Sequence, residues 1–408
     1  MRIFDRKYET LPREELDQLQ LERAQALLAR IRRNVRRYRE QIGDIRLDSL
    51  ADLARMPVIA PEDLAAAFPY GMFALPLREV IRLHSAVGPE GQQLVIGHTR
   101  NDLTHWGRLV ARQLAAAGVT ANDVIQICFE PGILKGATGY TLGAEMLEAS
   151  VIPEDPFHIE YQLTMLQNYR VSVLITTPSN ARELADLLAA GHADPQSLSL
   201  RTVLLSRPVS GQERQELKTG LFADIRCNFG VAEILDPGFC VQCDAGHYHA
   251  NEDQFIVETL NGELLVTTLC REAMPLLRYA TRIACALRRD KCPCGRTGVI
   301  IEPGERTDGR LRVNEMPIYP RQISEVLART RAAGQPFQVD ISERRIGIAL
   351  TVTPGLFSDT MRALIDLKKE IETEFQERLG IEAEVSFHEP PRPAQPQTRI
   401  HPGREPSS

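Results

Sequence analysis

Three short runs, VIQICF at Val124–Phe129, VSVLITT at Val171–Thr177 and TVLLS at Thr202–Ser206, decide the architecture. Each is apolar, and helical segments separate them, which is the alternation expected of a sheet covered by helices on its faces. Upstream, Trp106, Leu109, Val110 and Leu114 share one face of a helix expected over Leu103–Ala117, which Gly118 ends. Nearer the start, Leu16, Leu19, Leu21, Ala24, Leu27, Leu28 and Ile31 recur at near-helical spacing within residues 12–41. The basic run Arg30–Arg39 reads as the solvated face of that helix. Downstream, Phe255–Leu260 and Glu263–Leu269 flank Asn261-Gly262, a pair that readily takes the positive φ angles of a tight hairpin turn. From about residue 309 the pattern changes. Gln338–Ile341 and Ile346–Val352 read as strands, and a helix beginning near Ser358-Asp359 carries Leu364, Leu367, Ile371 and Phe375 on one side. It stops at Gly380, and Glu382–Phe387 reads as a further strand. Residues 390–408 hold six prolines and no apolar periodicity, so a disordered tail is expected there.

At roughly 100–200 residues per domain, 408 residues predict about two to four domains. Apolar residues make up 43% and charged residues 25%, which rules out a wholly disordered or fibrous chain. The net charge of −6 argues against a nucleic-acid partner. The opening MRIFDRKYET is charged where a signal peptide needs an apolar core, and no apolar run approaches the roughly 18 residues of a membrane span. The expectation is a soluble cytoplasmic protein with no membrane partner. Only Lys7, Lys135, Lys218, Lys291, Lys368 and Lys369 are lysines, so a lysine missing from a mechanistic position is easy to see. Eight cysteines in so long a chain are not a disulfide framework. Cys240 and Cys243 are spaced C-x2-C, His247 and His249 follow, and Cys292-Pro-Cys294 comes later. Two short ligand pairs joined by a long connection suit a structural zinc, because each pair chelates and the connection closes around the ion.

Four segments carry a family resemblance: residues 9–31 (ETLPREELDQLQLERAQALLARI), 97–119 (GHTRNDLTHWGRLVARQLAAAGV), 262–279 (GELLVTTLCREAMPLLRY) and 292–298 (CPCGRTG). In order, from about residue 8 to about 385, the chain resembles the phenylacetate-CoA ligase family of adenylate-forming, AMP-binding enzymes. The resemblance implies an α/β multidomain protein with the adenylate-forming fold. A large N-terminal domain of sheets covered by helices (1–305) would carry a zinc subsite (240–294). A small mobile α+β domain (306–389) and the tail (390–408) would follow, with Arg306-Thr307-Asp308 at the hinge. It also implies ATP with magnesium and coenzyme A as cofactors: a carboxylate attacks the α-phosphate of ATP to give an acyl adenylate, and the thiol of coenzyme A then displaces AMP. Such a site must stabilise phosphate charge, anchor the ribose and hold a lysine near the carboxylate.

The family's nucleotide motifs are eroded at the matching positions. Its phosphate loop, approximately SSGTTGKP, corresponds to Ala86-Val-Gly-Pro-Glu-Gly-Gln-Gln93, where Gly88 and Gly91 survive as residual phosphate ligands. Pro89 removes an N–H, Glu90 adds negative charge and no lysine remains. The GAEP segment becomes Leu205-Ser206-Arg207-Pro208, an acid replaced by a base. In Gly230-Val231-Ala232-Glu233 the magnesium-holding acid, Glu233, is kept. In Arg278-Tyr-Ala-Thr-Arg-Ile283 the arginine is kept, but Ile283 stands where the family's ribose-holding aspartate would be, and it can accept no hydrogen bond. Arg306, Thr307 and Asp308 keep part of the hinge. The glycine loop lining the pantetheine tunnel becomes Asn314-Glu-Met-Pro317, and no lysine follows Lys369, so the late catalytic lysine is absent; an arginine such as Arg399 does not replace it. By the same resemblance the metal ligands are Cys243, His249, Cys292 and Cys294, with Cys240 the rival for one place. Lys135 falls in the wall of the acyl pocket, where Pro131 and Leu134 replace aromatics. The other histidines, including His84 and His98 beside the eroded loop, read as ordinary core or surface residues.

The leading expectation is a family member that keeps fold and zinc but has lost ATP-dependent adenylation, and binds an unidentified small acid or a protein partner. The alternative is a working ATP-dependent ligase making an acyl adenylate or acyl-CoA from a small aryl carboxylic acid, with Glu233, Gly88, Gly91, Arg278 and Asp308 as its residual site. A third reading is a purely structural subunit, and a homodimer stays open.

Overall fold

The computed structural model describes residues 3–88, 92–129, 134–152, 158–313, 316–341, 345–351 and 361–388. The chain divides into two compact units, Met1–Gln322 and Ile323–Ser408. In the first, β1 (Arg82–Val87) and β2 (Gln93–His98) form an antiparallel hairpin that sets Arg82 opposite His98. Then come five parallel strands, β3 (Val124–Cys128), β4 (Ser150–Ile152), β5 (Val173–Thr176), β6 (Thr202–Leu205) and β7 (Asp224–Cys227), in the order β4-β3-β5-β6-β7. β5 and β6 are buried along their whole length, which is why their apolar residues run continuously instead of alternating: both faces are covered. The chain leaves β3 first to one side and then to the other. That reversal opens a crevice at the carboxyl ends of the strands.

A six-stranded sheet follows, of β8 (Cys240–Gln242), β9 (Tyr248–Ala250), β10 (Phe255–Leu260), β11 (Glu263–Thr268), β12 (Tyr279–Arg288) and β13 (Ile300–Arg306), ordered β10-β11-β12-β13-β9-β8. The turn at Asn261-Gly262 takes φ of 53° and 80°, the doubly positive geometry that closes a two-residue hairpin without splaying its strands. β14 (Leu311–Val313) and β15 (Met316–Ile318) pair antiparallel. In the second unit, β16 (Phe337–Ile341) pairs antiparallel with β17 (Ile346–Thr351), β17 pairs parallel with β18 (Ala383–His388), and the helix Met361–Leu379 buries Leu367, Ile371 and Phe375.

The helix expected across 12–41 is two helices, Arg13–Asn34 and Arg36–Ile42. Val35 between them is extended (φ −113°, ψ 111°) and 1% exposed, so the helix is interrupted there while the Val35 side chain stays in the core. The helix expected over Leu103–Ala117 is Arg100–Ala116, started by a capping box in which Thr99 Oγ1 accepts from the Asp102 N–H and the Asp102 carboxylate accepts from the Thr99 N–H. Arg306, Thr307 and Asp308 fall within the first unit. The helix start near Ser358-Asp359, Val352 and the tail 390–408 lie outside the described residues. Among the described residues no helix is long and apolar enough to cross a membrane.

Candidate functional site

A cavity of 500 Å³ lies at the carboxyl ends of the parallel strands. Phe129, Ser206 and Asn228, each the residue that follows β3, β6 or β7, line it. The loop Phe229–Pro237 forms another side, the β1–β2 hairpin contributes His84 and His98, and Ile283, Arg306, Arg310, Arg312, Met316 and Pro317 complete the wall. Its size is that of a small-molecule site.

At one end His98 stacks on Trp106 with ring centres 5.2 Å apart and planes 12° from parallel, and His84 packs against both rings. The Trp106 indole N–H donates to the Pro237 carbonyl at 2.7 Å, which ties the helix Arg100–Ala116 to the pocket loop. Burial, reinforced by the neighbouring Arg271 charge, pushes the His98 pKa down to about 2, so its ring is neutral. Arg271 is 8% exposed; it donates to the carbonyls of Glu233 (3.2 Å), Ile234 and Gly97 (3.1 Å), while its Nε–H is buried and has no partner among the described residues. No described carboxylate forms a direct ion pair with it, but the buried Asp102 charge bears on it from beyond contact. Burial lowers its pKa, but a guanidinium starts so high that it remains charged.

Asp236 lines the same cavity. Its Oδ1 accepts from Asn228 Nδ2 at 2.6 Å, and burial pushes its pKa up to about 6 against the opposing pull of Asn228, Arg312 and Arg310. Gly230 leaves room for this carboxylate, since a Cβ there would collide with Asp236 Oδ1. Tyr140, 1% exposed, also lines the cavity, and its hydroxyl has no hydrogen-bond partner among the described residues. Burial raises its pKa well above the usual phenol value, so it keeps its proton.

Of the residues singled out from sequence, Glu233 is in the wall and 7% exposed, next to Tyr279, whose phenol burial and the Glu233 charge push well upward. Ile283 and Arg207 are in the wall as well. Gly88 is not; its N–H closes on the Gln92 carbonyl at 2.8 Å. Arg278 is away from the cavity, donating to the Met56 and Ala54 carbonyls and to Glu258. Asp308 stands behind the wall, where it takes a two-pronged contact from Arg306 at 2.9 and 2.5 Å. Gly91 lies outside the described residues with Pro89 and Glu90, as do Asn314, Glu315 and the side chain of Lys135.

The sulfurs of Cys243, Cys292 and Cys294 and a ring nitrogen of His249 all lie within 4.8 Å of one another, and all four residues are buried. Cys240, buried at 1% exposure in the main apolar core, is not in this group. His249 Nδ1 is 2.9 Å from the Gly298 carbonyl, which can only accept, so the proton is on Nδ1 and the Nε2 lone pair faces Cys294 Sγ at 3.3 Å. The Cys243 thiol holds Cys294 down at about 7. The S₃N donor set, the mutual spacing and the carbonyl behind the histidine match what tetrahedral zinc needs.

Sequence reasoning passed over Arg271, Arg310, Arg312, Asp236 and Tyr140, and set His84 and His98 aside. Arg310 and Arg312 alternate across the start of β14, a period-2 signal; the others carry no local pattern, because the fold brings them together from separate elements.

The chain matches the family model of the AMP-binding enzyme C-terminal domain over residues 316–400. It is 35% identical over 346 residues to a phenylacetate-coenzyme A ligase of Thermus thermophilus, covering 80% of this chain and 78% of the relative. The phenylacetate-coenzyme A ligase of Escherichia coli (strain K12) is 30% identical over 82% of this chain and 81% of its own. A 2-hydroxyisobutyryl-CoA ligase, solved with 2-HIB-AMP and CoA, superposes with a TM-score of 0.84 over 97% of this chain and 90% of that one at 21% identity, a likeness of fold.

Proposed function

The chain belongs to the phenylacetate-CoA ligase family of adenylate-forming enzymes, and from that premise we propose that its pocket binds a small carboxylic acid without adenylating it. The wall of the cavity carries this reading. It offers Arg271, a buried cation with no carboxylate in ion-pair contact among the described residues, only the Asp102 charge acting from farther off, and it has Ile283 where the resemblance calls for a ribose-holding acid. A buried charge whose counter-charge is not in direct contact is costly, and an incoming carboxylate relieves that cost. An adenylating site must also hold ribose and phosphate. Arg207 stands where an acid is expected, no lysine follows Lys369, and each lost contact typically removes a few kcal/mol of transition-state stabilisation.

Zinc belongs to the same proposal. Cys243, His249, Cys292 and Cys294 would hold it; four protein ligands leave no open position, so the ion would brace the β8–β9 turn against the Cys292–Cys294 turn and take no part in chemistry.

A second reading, a working ligase using ATP, magnesium and coenzyme A, is favoured by Glu233 in the wall and by relatives that are phenylacetate-coenzyme A ligases. ATP–pyrophosphate exchange with phenylacetate, benzoate and short fatty acids separates the two. We expect no exchange above background and no micromolar ATP affinity by calorimetry. Acid-dependent exchange abolished by Glu233→Ala would establish the second reading instead.

A further inference from the structure

One side of the cavity carries buried polar groups with open hydrogen-bonding capacity. Asp236 lines it with Oδ1 engaged by Asn228, but no described group bonds its other oxygen. Tyr140 lines it too, with a buried hydroxyl that bonds no described group although the phenol is near enough to feel the Asp236 charge. Gly230 is the residue that lets the carboxylate sit there, because any Cβ would collide with Oδ1. A pocket meant for a plain hydrocarbon would leave one oxygen of the acid and the phenol hydroxyl without partners, each costing about 1–3 kcal/mol.

We infer that Asp236 and Tyr140 are specificity-determining residues for an acid that carries a hydrogen-bond donor, hydroxyl or amino, remote from its carboxylate. The donor's N–H or O–H hydrogen-bonds to the open Asp236 oxygen. A hydroxyl also accepts from the Tyr140 O–H, whereas an ammonium pairs with the Asp236 charge. Asn228 holds the carboxylate in place through its other oxygen. Sites built to hydrogen-bond a substituent reject analogues lacking it far more strongly than apolar pockets discriminate by size. This inference rests on the proposed binding of a small acid.

The test is calorimetric titration of the full chain with matched acids: 4-hydroxyphenylacetate against phenylacetate, and 5-hydroxypentanoate and 5-aminopentanoate against pentanoate. At least one donor-bearing acid should bind about tenfold or more tightly than its parent. Tyr140→Phe, which removes only the hydroxyl, should cut a hydroxyl preference to about twofold. Asp236→Asn should abolish a preference for 5-aminopentanoate and weaken a hydroxyl preference less. Parents binding as tightly as their substituted partners would overturn the inference while leaving the proposed function standing, as would a preference that survives both variants. Failure of every acid to bind would overturn both.

Discussion

At the scale of single residues, Asp236 shows a site residue held at the expense of stability. Its folded pKa is raised to about 6, above the ordinary carboxylate value, so the folded state favours the protonated form. The stability linked to this group is fully present below the unfolded pKa, near 4, and is lost as pH rises through about 6. Asp236→Asn, whose amide oxygen can still accept from Asn228, should therefore stabilise the protein at about pH 7.5 by roughly 1–3 kcal/mol and make little difference at about pH 4. Denaturant midpoints at the two pH values check this; equal stabilisation at both would mean that packing, and not the charge, is responsible. Ile283 makes a different point. It was legible in the sequence as a missing ribose acid, and it lines the cavity, whereas Arg278 from the same motif faces the Met56 carbonyl and Glu258. A motif gives residue types; where each side chain points is left to its neighbours.

Between elements, close approach is arranged by small residues. A Cβ on Gly139 would lie 2.6 Å from the Trp106 ring, and one on Gly143 would lie 2.6 Å from Val110, so the helices Arg100–Ala116 and Leu134–Met146 can pack this closely only with glycine at both positions. That contact fixes the Trp106 ring under His98, and with it one end of the cavity. The proposed zinc belongs to this scale too, since it would join Cys243 and Cys292, which stand 49 residues apart in sequence. Elemental analysis of protein purified without added metal should give about one zinc per chain, and Cys292→Ser should lower both the metal content and the unfolding midpoint. Metal present well below one equivalent, lost on dialysis with no change in midpoint, would exclude a structural ion. The helix over 12–41 was half legible: Leu16, Ala24, Leu27, Leu28 and Ile31 of the apolar stripe are buried, but the continuation through Val35, Tyr38 and Ile42 lies within and beyond the basic run, and the break at Val35 has no glycine or proline to announce it.

For the whole molecule, the two compact units lead to a test of the boundary. Limited proteolysis should cut first between residues 305 and 322 or beyond 388, leaving the body of the first unit intact; a first cut inside 100–290 would contradict the division. Residue order alone sets the alternation of strands and helices behind the parallel sheet, the Asn261-Gly262 hairpin, the family, and the pairing of cysteines with a histidine. All of these rest on local spacing or on residue order, which the chain states directly. It took the folded chain to place the rival Cys240 in the apolar core, to bury Arg271 with no carboxylate in ion-pair contact among the described residues, and to bring Asp236, Asn228 and Tyr140 into one cavity. The physical reason is that burial and partnership are properties of neighbours distant in sequence. Tyr140 and Asp236 come from a helix and a loop far apart along the chain, and only the order β4-β3-β5-β6-β7 brings their segments to the same end of one sheet.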